Sequence, residues 1–162
     1  MPDDPRRENL VRAVFPGPEY REVGDGKTLS GHFALFNEWT RIDSVIEGTF
    51  MERIAPGAFA KTFAEHQPKV LFQHGKDPEI GNKPIASLRS LAEDATGAAY
   101  EAELLDGLPP LVAAGLRAGE YGASFRFSVP KARDEWVHRP ERSTTNPEGL
   151  PERTIREAHV FE

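Results

Sequence analysis

Glycine and proline interrupt this chain so often that its sequence favours short strands over long helices. The 162 residues include fourteen glycines and fourteen prolines. Both residue types mark turns, because glycine tolerates positive φ angles and proline fixes φ and lacks an amide hydrogen. The segments between them are short apolar or alternating runs, which is the pattern of β-strands. We therefore predict a mainly β protein with few helices.

Alternating and apolar runs predict the strands, and apolar residues three and four apart predict two helices. The predicted strands cover residues 10–14, 20–23, 28–37, 69–73, 85–91, 98–105, 123–129 (extended by 136–137) and 154–161. The predicted helices cover residues 58–66 and 108–118. In the second helix, Pro109 and Pro110 fit the first turn and Gly119 fits the stop. Residues 38–49 are predicted to form a loop.

The length of the chain and the lack of a linker composition predict a single domain over residues 1–162. Residues 1–9 are polar and are predicted to be loose. Residues 139–152 are rich in proline, serine, threonine, asparagine and glycine, which predicts an exposed, mobile loop. Short strands with two helices favour an α+β fold, in which a mostly antiparallel β-barrel carries the helices on its outside.

Composition argues against several classes of function. The net charge is −6 and no basic stripe is present, so protein segments are expected as partners rather than nucleic acid. The absence of cysteine excludes disulfides, thiolate catalysis and cysteine-based zinc sites. No apolar run reaches the roughly 18 residues of a membrane span. We expect no metal and no cofactor, because His74, Asp77 and Glu79 fall in a predicted loop with no second motif to complete a metal site.

Ser124 and His74 are the candidates for nucleophilic catalysis. Residues 123–129 alternate, so Ser124 and Arg126 share one face of the predicted strand while two phenylalanines share the other. If the aromatic face is buried, Ser124 faces a surface or a cleft. His74 ends a predicted strand, where an imidazole can reach the hydroxyl of a neighbouring strand and act as a base. On the pattern alone, an ordinary strand serine and a polar residue at a strand-to-loop junction remain open alternatives.

Several segments resemble, in the expected order, the prohead (capsid maturation) proteases of HK97-type tailed bacteriophages, a family structurally related to the herpesvirus assemblins. Residues 29–37 resemble the early strand of that family, and residues 50–59 fit its F-x-E-x-I-x-P-G-A-F element. Residues 70–74 resemble the segment that carries the base. Residues 122–127 resemble the G-M-S-F-G-F nucleophile strand. The resemblance extends over residues 29–162.

The resemblance implies a serine endopeptidase with a herpesvirus-protease type of barrel and no cofactor. Ser124 would attack the scissile carbonyl, and His74 would remove its proton. The expected partners are the scaffold segment of the major capsid protein and further copies of the protease, through autoprocessing or a homo-oligomer, without nucleic acid or membrane. The reaction is expected inside the assembling prohead, in the cytoplasm of the host bacterium.

The residue that orients His74 is open between two neighbours in the last predicted strand. His159 is followed by valine, which resembles the Ser-His-His arrangement of the assemblins, and Glu157 lies on the same face of the strand. A carboxylate stabilises an imidazolium better than a second imidazole does. We favour His159 over Glu157 and place Glu162 last, because it points to the opposite face. The histidines predicted to be non-catalytic are His32, His66 and His138.

Departures from the family pattern favour an alternative, a catalytically inactive capsid assembly or scaffold protein that retains the protease fold. Arg126 stands where the family commonly has glycine, and Ala123 stands where it commonly has methionine. Family members also continue with a V-S-x-V-x-x-P-A strand beyond the position of Glu162. An active-site-directed serine probe distinguishes the two hypotheses.

Overall fold

The computed structural model describes residues 4–162, which form eleven strands and two α-helices. The strands are β1 (Leu10–Val14), β2 (Glu19–Val23), β3 (Gly26–Leu35), β4 (Thr40–Ser44), β5 (Gly48–Ile54), β6 (Ala86–Glu93), β7 (Gly97–Leu104), β8 (Ala123–Ser128), β9 (Asp134–Val137), β10 (Glu152–Ile155) and β11 (His159–Val160). The helices are α1 (Ala60–Glu65) and α2 (Pro110–Ala118), and one 3-10 turn covers Gln73–Gly75. The prediction of a mainly β protein with few helices is confirmed. No helix within residues 4–162 combines the length and the apolar character needed to cross a bilayer.

The strands assemble into three open sheets. Their strand orders are β1-β8-β11, β4-β5-β10-β9 and β2-β3-β7-β6. Neighbouring strands are antiparallel, except that β10 runs parallel to β5. The prediction of a closed barrel is wrong for residues 4–162, because the sheets do not join edge to edge through continuous ladders. The link between β3 and β5, for example, is a single bridge between Phe36 and Ile54.

The last predicted strand, residues 154–161, is divided between two sheets. β10 pairs with β5 and β9, whereas β11 pairs with β8. Between them the chain crosses over: the amide of Arg156 bonds to the carbonyl of Arg133 at 2.8 Å, and the amide of Ala158 bonds to the carbonyl of Ala58 at 2.9 Å. After the crossover the period of two holds in β11, where His159 pairs with Ser128 and Val160 pairs with Phe127, and β11 ends at Val160.

Three further predictions are wrong in whole or in part. Residues 38–49, predicted as a loop, contain β4 and the start of β5, which pair as a hairpin. Residues 69–73, predicted as a strand, form a single bridge between Val70 and Ala86 before the 3-10 turn. Residues 136–137 do not extend β8 but belong to β9 in another sheet.

Aromatic side chains hold β8, the strand with Ser124, against the core. Phe125 and Phe127 of β8 are 2% and 0% exposed. The ring of Phe125 lies 5.2 Å from that of Phe33 in β3 and 5.8 Å from that of Phe59, which precedes α1. Each such aromatic contact contributes about 0.5–1.5 kcal/mol beyond area burial. The predicted alternation of β8 holds, and Ser124 lies on its exposed face.

A set of buried charges connects β1, β5, β9 and β10, and we call it the buried ion cluster; its members are Arg12, Glu47, Glu52, Asp134 and Arg153. The guanidinium of Arg153 is fully buried and bonds to Glu52 at 3.2 Å and to Asp134 at 2.9 Å. Arg12 bonds to Glu52 and to Glu47, each at 2.7 Å. Burial alone would lower the pKa of Arg12, but its hydrogen bonds to Glu52 and Glu47 hold that pKa above the ordinary value.

Residues 139–152 contain no helix or strand in the described chain before β10 begins, as predicted for a loop. Asn146 nevertheless anchors the segment, because it is only 1% exposed. Its side-chain amide donates to the carbonyl of Leu150 at 2.8 Å, and its carbonyl accepts the Leu150 amide at 2.9 Å. Most of the surrounding residues are exposed. The mobility of this loop stays a prediction.

The predicted loose N-terminus, residues 1–9, lies partly outside the described residues. Within it, the carbonyl of Arg6 accepts a hydrogen bond from Arg153 at 2.6 Å. Arg7 forms an ion pair with Asp134 at 2.8 Å. From Asp4 to Arg7 the segment is therefore fastened to the buried ion cluster.

Candidate active site

Ser124 and His74 are brought together from two separate parts of the chain. Ser124 Oγ lies 2.7 Å from His74 Nε2, which is hydrogen-bond distance. The hydroxyl can therefore donate its proton directly to the imidazole, the geometry that activates a serine nucleophile. Gly122 leaves the start of this strand room to approach Phe15, because a Cβ atom at Gly122 would lie 2.4 Å from the Phe15 ring.

The backbone at His74 adopts an unusual left-handed conformation. His74 has φ 52° and ψ 33°, and Gln73 before it has φ 48°. Left-handed backbone at residues other than glycine costs about 1–3 kcal/mol each and persists where the surroundings impose it. The preceding residue, Phe72, is 8% exposed and packs edge-on against Tyr121, with ring centres 5.2 Å apart. This packing anchors the turn beside β8, so that the imidazole projects towards Ser124.

The third group of the candidate site is Glu162, which contacts His74 on the side away from Ser124. Its Oε1 lies 3.2 Å from His74 Nδ1, and its side chain is only 7% exposed. With the carboxylate on Nδ1, the proton of the neutral imidazole is assigned to Nδ1, which leaves Nε2 free to accept from Ser124. The structure thus aligns hydroxyl, imidazole and carboxylate in one chain of hydrogen bonds.

The structure places His159 and Glu157 away from this chain, so the expectation that one of them orients His74 is not met. His159 pairs with Ser128, four residues along β8 from Ser124, which is about 13 Å at the rise of a β-strand. Its ring packs at a tilt of 38° against that of His66, with centres 4.8 Å apart. Glu157 lies in the crossover and forms ion pairs with Arg133 at 3.2 Å and Lys61 at 3.6 Å.

The sequence argument placed Glu162 last because it extended one alternating strand through residues 157–162. The alternation is lost after β11, which ends at Val160. The carbonyl of Arg126 accepts the amide of Phe161 at 2.8 Å and the amide of Arg126 donates to the carbonyl of Glu162 at 2.9 Å, so two successive residues lie opposite one residue of β8. Arg126 could have indicated an acidic residue near this face. It is a cation on the same strand face as Ser124, and a partly buried cation requires a nearby anion. Arg126 Nε donates to Glu162 Oε1 at 2.9 Å, the same oxygen that contacts His74.

The other histidines contact groups other than Ser124, His74 and Glu162. His32 pairs with Asp94 at 2.7 Å. The pKa of Asp94 is held below its usual value, first by the amide of Gly97 and then by His32. His66 bonds to the carbonyl of Val160 at 2.6 Å. His138 stacks on Trp136 with ring centres 5.9 Å apart.

The carboxylate of Asp77, three residues after His74, bonds to backbone amides of its own turn. It accepts hydrogen bonds from the amides of Glu79 at 3.0 Å and Ile80 at 2.8 Å. Within residues 4–162, no group of three histidine, aspartate or glutamate side chains is arranged to hold a metal ion.

A mainly apolar cavity of 350 Å³ opens beside Ser124 and His74. Its apolar lining includes Phe33, Leu88, Leu91 and Tyr121. Tyr100 also lines it, and burial raises the pKa of this phenol to about 12. A smaller cavity of 270 Å³ is lined by His74, Arg126 and Glu162 among others. The exposed hydroxyl of Ser124 is thus next to a concave surface that can take an apolar side chain.

Comparisons with known proteins identify a structure of similar fold and a protein family. Among solved structures, the chain is similar to the bacteriophage T4 capsid assembly protease, gp21, with a TM-score of 0.54 and 13% identity, covering 95% of this chain and 93% of that chain. At this identity the likeness supports the fold. No curated protein matches the chain. A family model described as caudovirus prohead serine protease matches residues 18–162. Because that match covers most of the chain, the protein belongs to the caudovirus prohead serine protease family.

Proposed function

We propose that this member of the family is an active endopeptidase that uses Ser124, His74 and Glu162 as its catalytic groups. The observation that carries the proposal is the continuous contact from Ser124 Oγ to His74 Nε2 at 2.7 Å and from His74 Nδ1 to Glu162 at 3.2 Å. This replaces both arrangements expected from the sequence, in which His159 or Glu157 held the third position. The order of groups is that of a serine protease triad with glutamate as the acid.

The reaction follows from this geometry. Ser124 Oγ attacks the carbonyl carbon of the scissile peptide bond while its proton passes to His74 Nε2. The resulting imidazolium is stabilised by the Glu162 carboxylate on Nδ1 and returns the proton to the leaving amine. The peptide C–N bond breaks and leaves an acyl ester on Ser124. Water then attacks the ester with His74 again as base, which releases the carboxylic acid and restores the hydroxyl.

The apolar cavity supports an extended protein segment as substrate, with an apolar side chain placed beside Ser124. A family of capsid maturation proteases acts within an assembling phage head, where scaffold segments of the capsid protein and other protease copies are the neighbouring chains. We propose these as the substrates, cleaved inside the prohead in the cytoplasm of the host bacterium. The residues of the proposed triad perform the steps above without a cofactor.

A fluorophosphonate probe tests this proposal against the alternative of an inactive assembly protein. Such a probe reacts with an activated serine, because it mimics the attacked carbonyl and leaves a covalent adduct. We expect one adduct on the wild-type protein, located at Ser124 by peptide mass spectrometry, and cleavage of a peptide library. Ser124→Ala should abolish both.

The matched control is Ser128→Ala, since Ser128 lies on the same strand but pairs with His159 rather than contacting His74. It should label and cleave like the wild type. A correctly folded wild-type protein that neither reacts with the probe nor cleaves any peptide would establish the inactive assembly protein instead.

A further inference from the structure

The side chain of Arg126 contacts Glu162 and not the attacking hydroxyl. Its Nε donates to Glu162 Oε1 at 2.9 Å, and the same oxygen lies 3.2 Å from His74 Nδ1. A carboxylate oxygen has two lone pairs, so it can accept from both donors at once. The two contacts therefore do not exclude each other.

Glu162 needs such a second partner because it is almost fully enclosed. Its side chain is 7% exposed, whereas those of His74 and Arg126 are 21% and 36% exposed. A carboxylate removed from water is costly unless it is paired and hydrogen-bonded, and a neutral imidazole offers a single hydrogen bond without a compensating charge. The guanidinium of Arg126 supplies the charge and a directed, charge-assisted hydrogen bond.

Arg126 is itself held in place from several directions. Its Nη1 donates to Asn9 Oδ1 at 3.1 Å, and its guanidinium lies 4.9 Å from the ring centre of Phe161. Its backbone amide bonds to the carbonyl of Glu162 at 2.9 Å, and its carbonyl accepts the amide of Phe161 at 2.8 Å. The main chain and the side chain of one residue thus both fix the position of Glu162.

Arg126 lies on the same strand as the candidate nucleophile, Ser124. Ser124 and Arg126 lie two residues apart on the same face of β8, about 7 Å along a strand whose other face is buried. One rigid element therefore presents the hydroxyl to one side of the imidazole and holds the carboxylate on the other side.

We propose that Arg126 is a positioning residue that fixes the Glu162 carboxylate against His74 and so maintains the Nδ1–H tautomer of the imidazole. This inference rests on the proposed function and deepens it. It assigns a purpose to a residue that stands where the family commonly has glycine. The opposite role, in which the arginine draws Glu162 away from His74 and disables the site, makes the opposite prediction for its removal.

The experiment compares Arg126→Gln, Arg126→Lys and Arg126→Gly with the wild type and with Arg156→Gln. Arg156 is the matched control, because it forms an equally short ion pair of 2.9 Å with Glu135 away from the site. The first measurement is the second-order rate constant for labelling of Ser124 by a fluorophosphonate. The second is the ¹⁵N NMR spectrum of the His74 ring, which distinguishes the two tautomers.

We expect Arg126→Gln and Arg126→Gly to label about 10- to 100-fold more slowly, since a displacement of about 1 Å costs up to about 100-fold. Their His74 ring should show a mixture of tautomers. Arg126→Lys should recover part of the rate, because lysine keeps the charge but lacks the planar fork. Arg156→Gln should match the wild type in both measurements.

Unchanged labelling and an unchanged tautomer in Arg126→Gln would overturn the inference, and faster labelling of Arg126→Gly would establish the disabling role. If one variant does not fold, as judged by circular dichroism, the remaining two decide by the same criteria. The NMR measurement does not depend on activity. If the wild type failed to label, the proposed function would fall, while the tautomer in Arg126→Gln would still decide whether Arg126 positions Glu162.

Discussion

Two groups of charged side chains in this protein contain carboxylates and arginines but differ in their burial and in their neighbours. In the buried ion cluster, Arg153 is fully enclosed and bonds to Glu52 and Asp134. In the candidate site, Glu162 is almost as enclosed but bonds to Arg126, which is 36% exposed, and to His74. The first group contains carboxylates and guanidinium groups only, whereas the second contains an imidazole in hydrogen-bond contact with a serine hydroxyl.

The comparison sets a carboxylate–arginine pair inside the fold against one beside a candidate nucleophile. Buried pairs are costly to desolvate and add little net stability, but removing one partner leaves an uncompensated charge. The buried ion cluster is therefore expected to matter for folding. At the candidate site the pair borders a cavity and a serine, so the same electrostatics are available to a proton transfer. Mutations in the two groups should separate stability from activity.

The largest expected effect is on the rate of cleavage in Glu162→Gln. In the proposed mechanism, loss of the carboxylate removes the group that orients His74 and stabilises its imidazolium, and in a related triad the equivalent change costs about 10⁴ in turnover. Steady-state cleavage of a peptide identified from the library measures it. Glu157→Gln is the matched control and should cleave at the wild-type rate, since Glu157 contacts Arg133 and Lys61 instead. Equal losses in both variants would remove the distinction between the two carboxylates.

A second effect belongs to the buried ion cluster. Arg153→Met should lower the free energy of unfolding by about 3 kcal/mol, because Glu52 and Asp134 lose a fully buried partner while each keeps a second arginine. Urea denaturation measures the change. Labelling of Ser124 per folded molecule should stay the same. Arg156→Gln, a change at an exposed arginine in the neighbouring sequence, should alter the stability by less than about 0.5 kcal/mol. A large loss of labelling in folded Arg153→Met would show that the two groups are coupled.

The smallest expected effect concerns Tyr100 in the cavity wall. Burial raises its pKa from 10.0 to about 12, so the folded state holds the phenol proton more tightly than the unfolded state does. The corresponding stability is present below pH 10 and is lost as the pH rises towards 12, amounting to about 2 kcal/mol. Tyr100→Phe should therefore lose less stability than the wild type between pH 10 and 12. Parallel pH profiles of urea midpoints for the two proteins would contradict this assignment.

Local patterns predicted the local parts of this fold. Helix α2 starts and stops where its prolines and Gly119 indicate, and Gly119 adopts φ 72° at the helix end. The strand with Ser124 has the predicted buried and exposed faces. Both features depend on residues within a few positions of one another, so the spacing alone carries the information.

The parts that could not be predicted depend on distant contacts. The crossover at residues 156–158 is held by the carbonyls of Arg133 and Ala58, which lie far away in sequence. Alternation also assigns Glu162 to the wrong face, because the backbone of Arg126 bonds to both Phe161 and Glu162 beyond the end of β11. His74 adopts a left-handed backbone conformation although it is not a glycine, so its sequence does not indicate this turn. The conformation follows from the packing of Phe72. The separation of the strands into three open sheets likewise reflects long-range pairing.

Ser124, His74 and Glu162 are far apart in the sequence, and this affects when their contacts can form during synthesis. His74 is separated from Ser124 by 50 positions in the sequence and from Glu162 by 88. Contacts between such remote positions form late, after the intervening chain has been synthesised and folded. Because synthesis runs from the N-terminus, Glu162 is the last of these three residues to be made. The contact among the three side chains can therefore form only after Glu162 has left the exit tunnel of the ribosome.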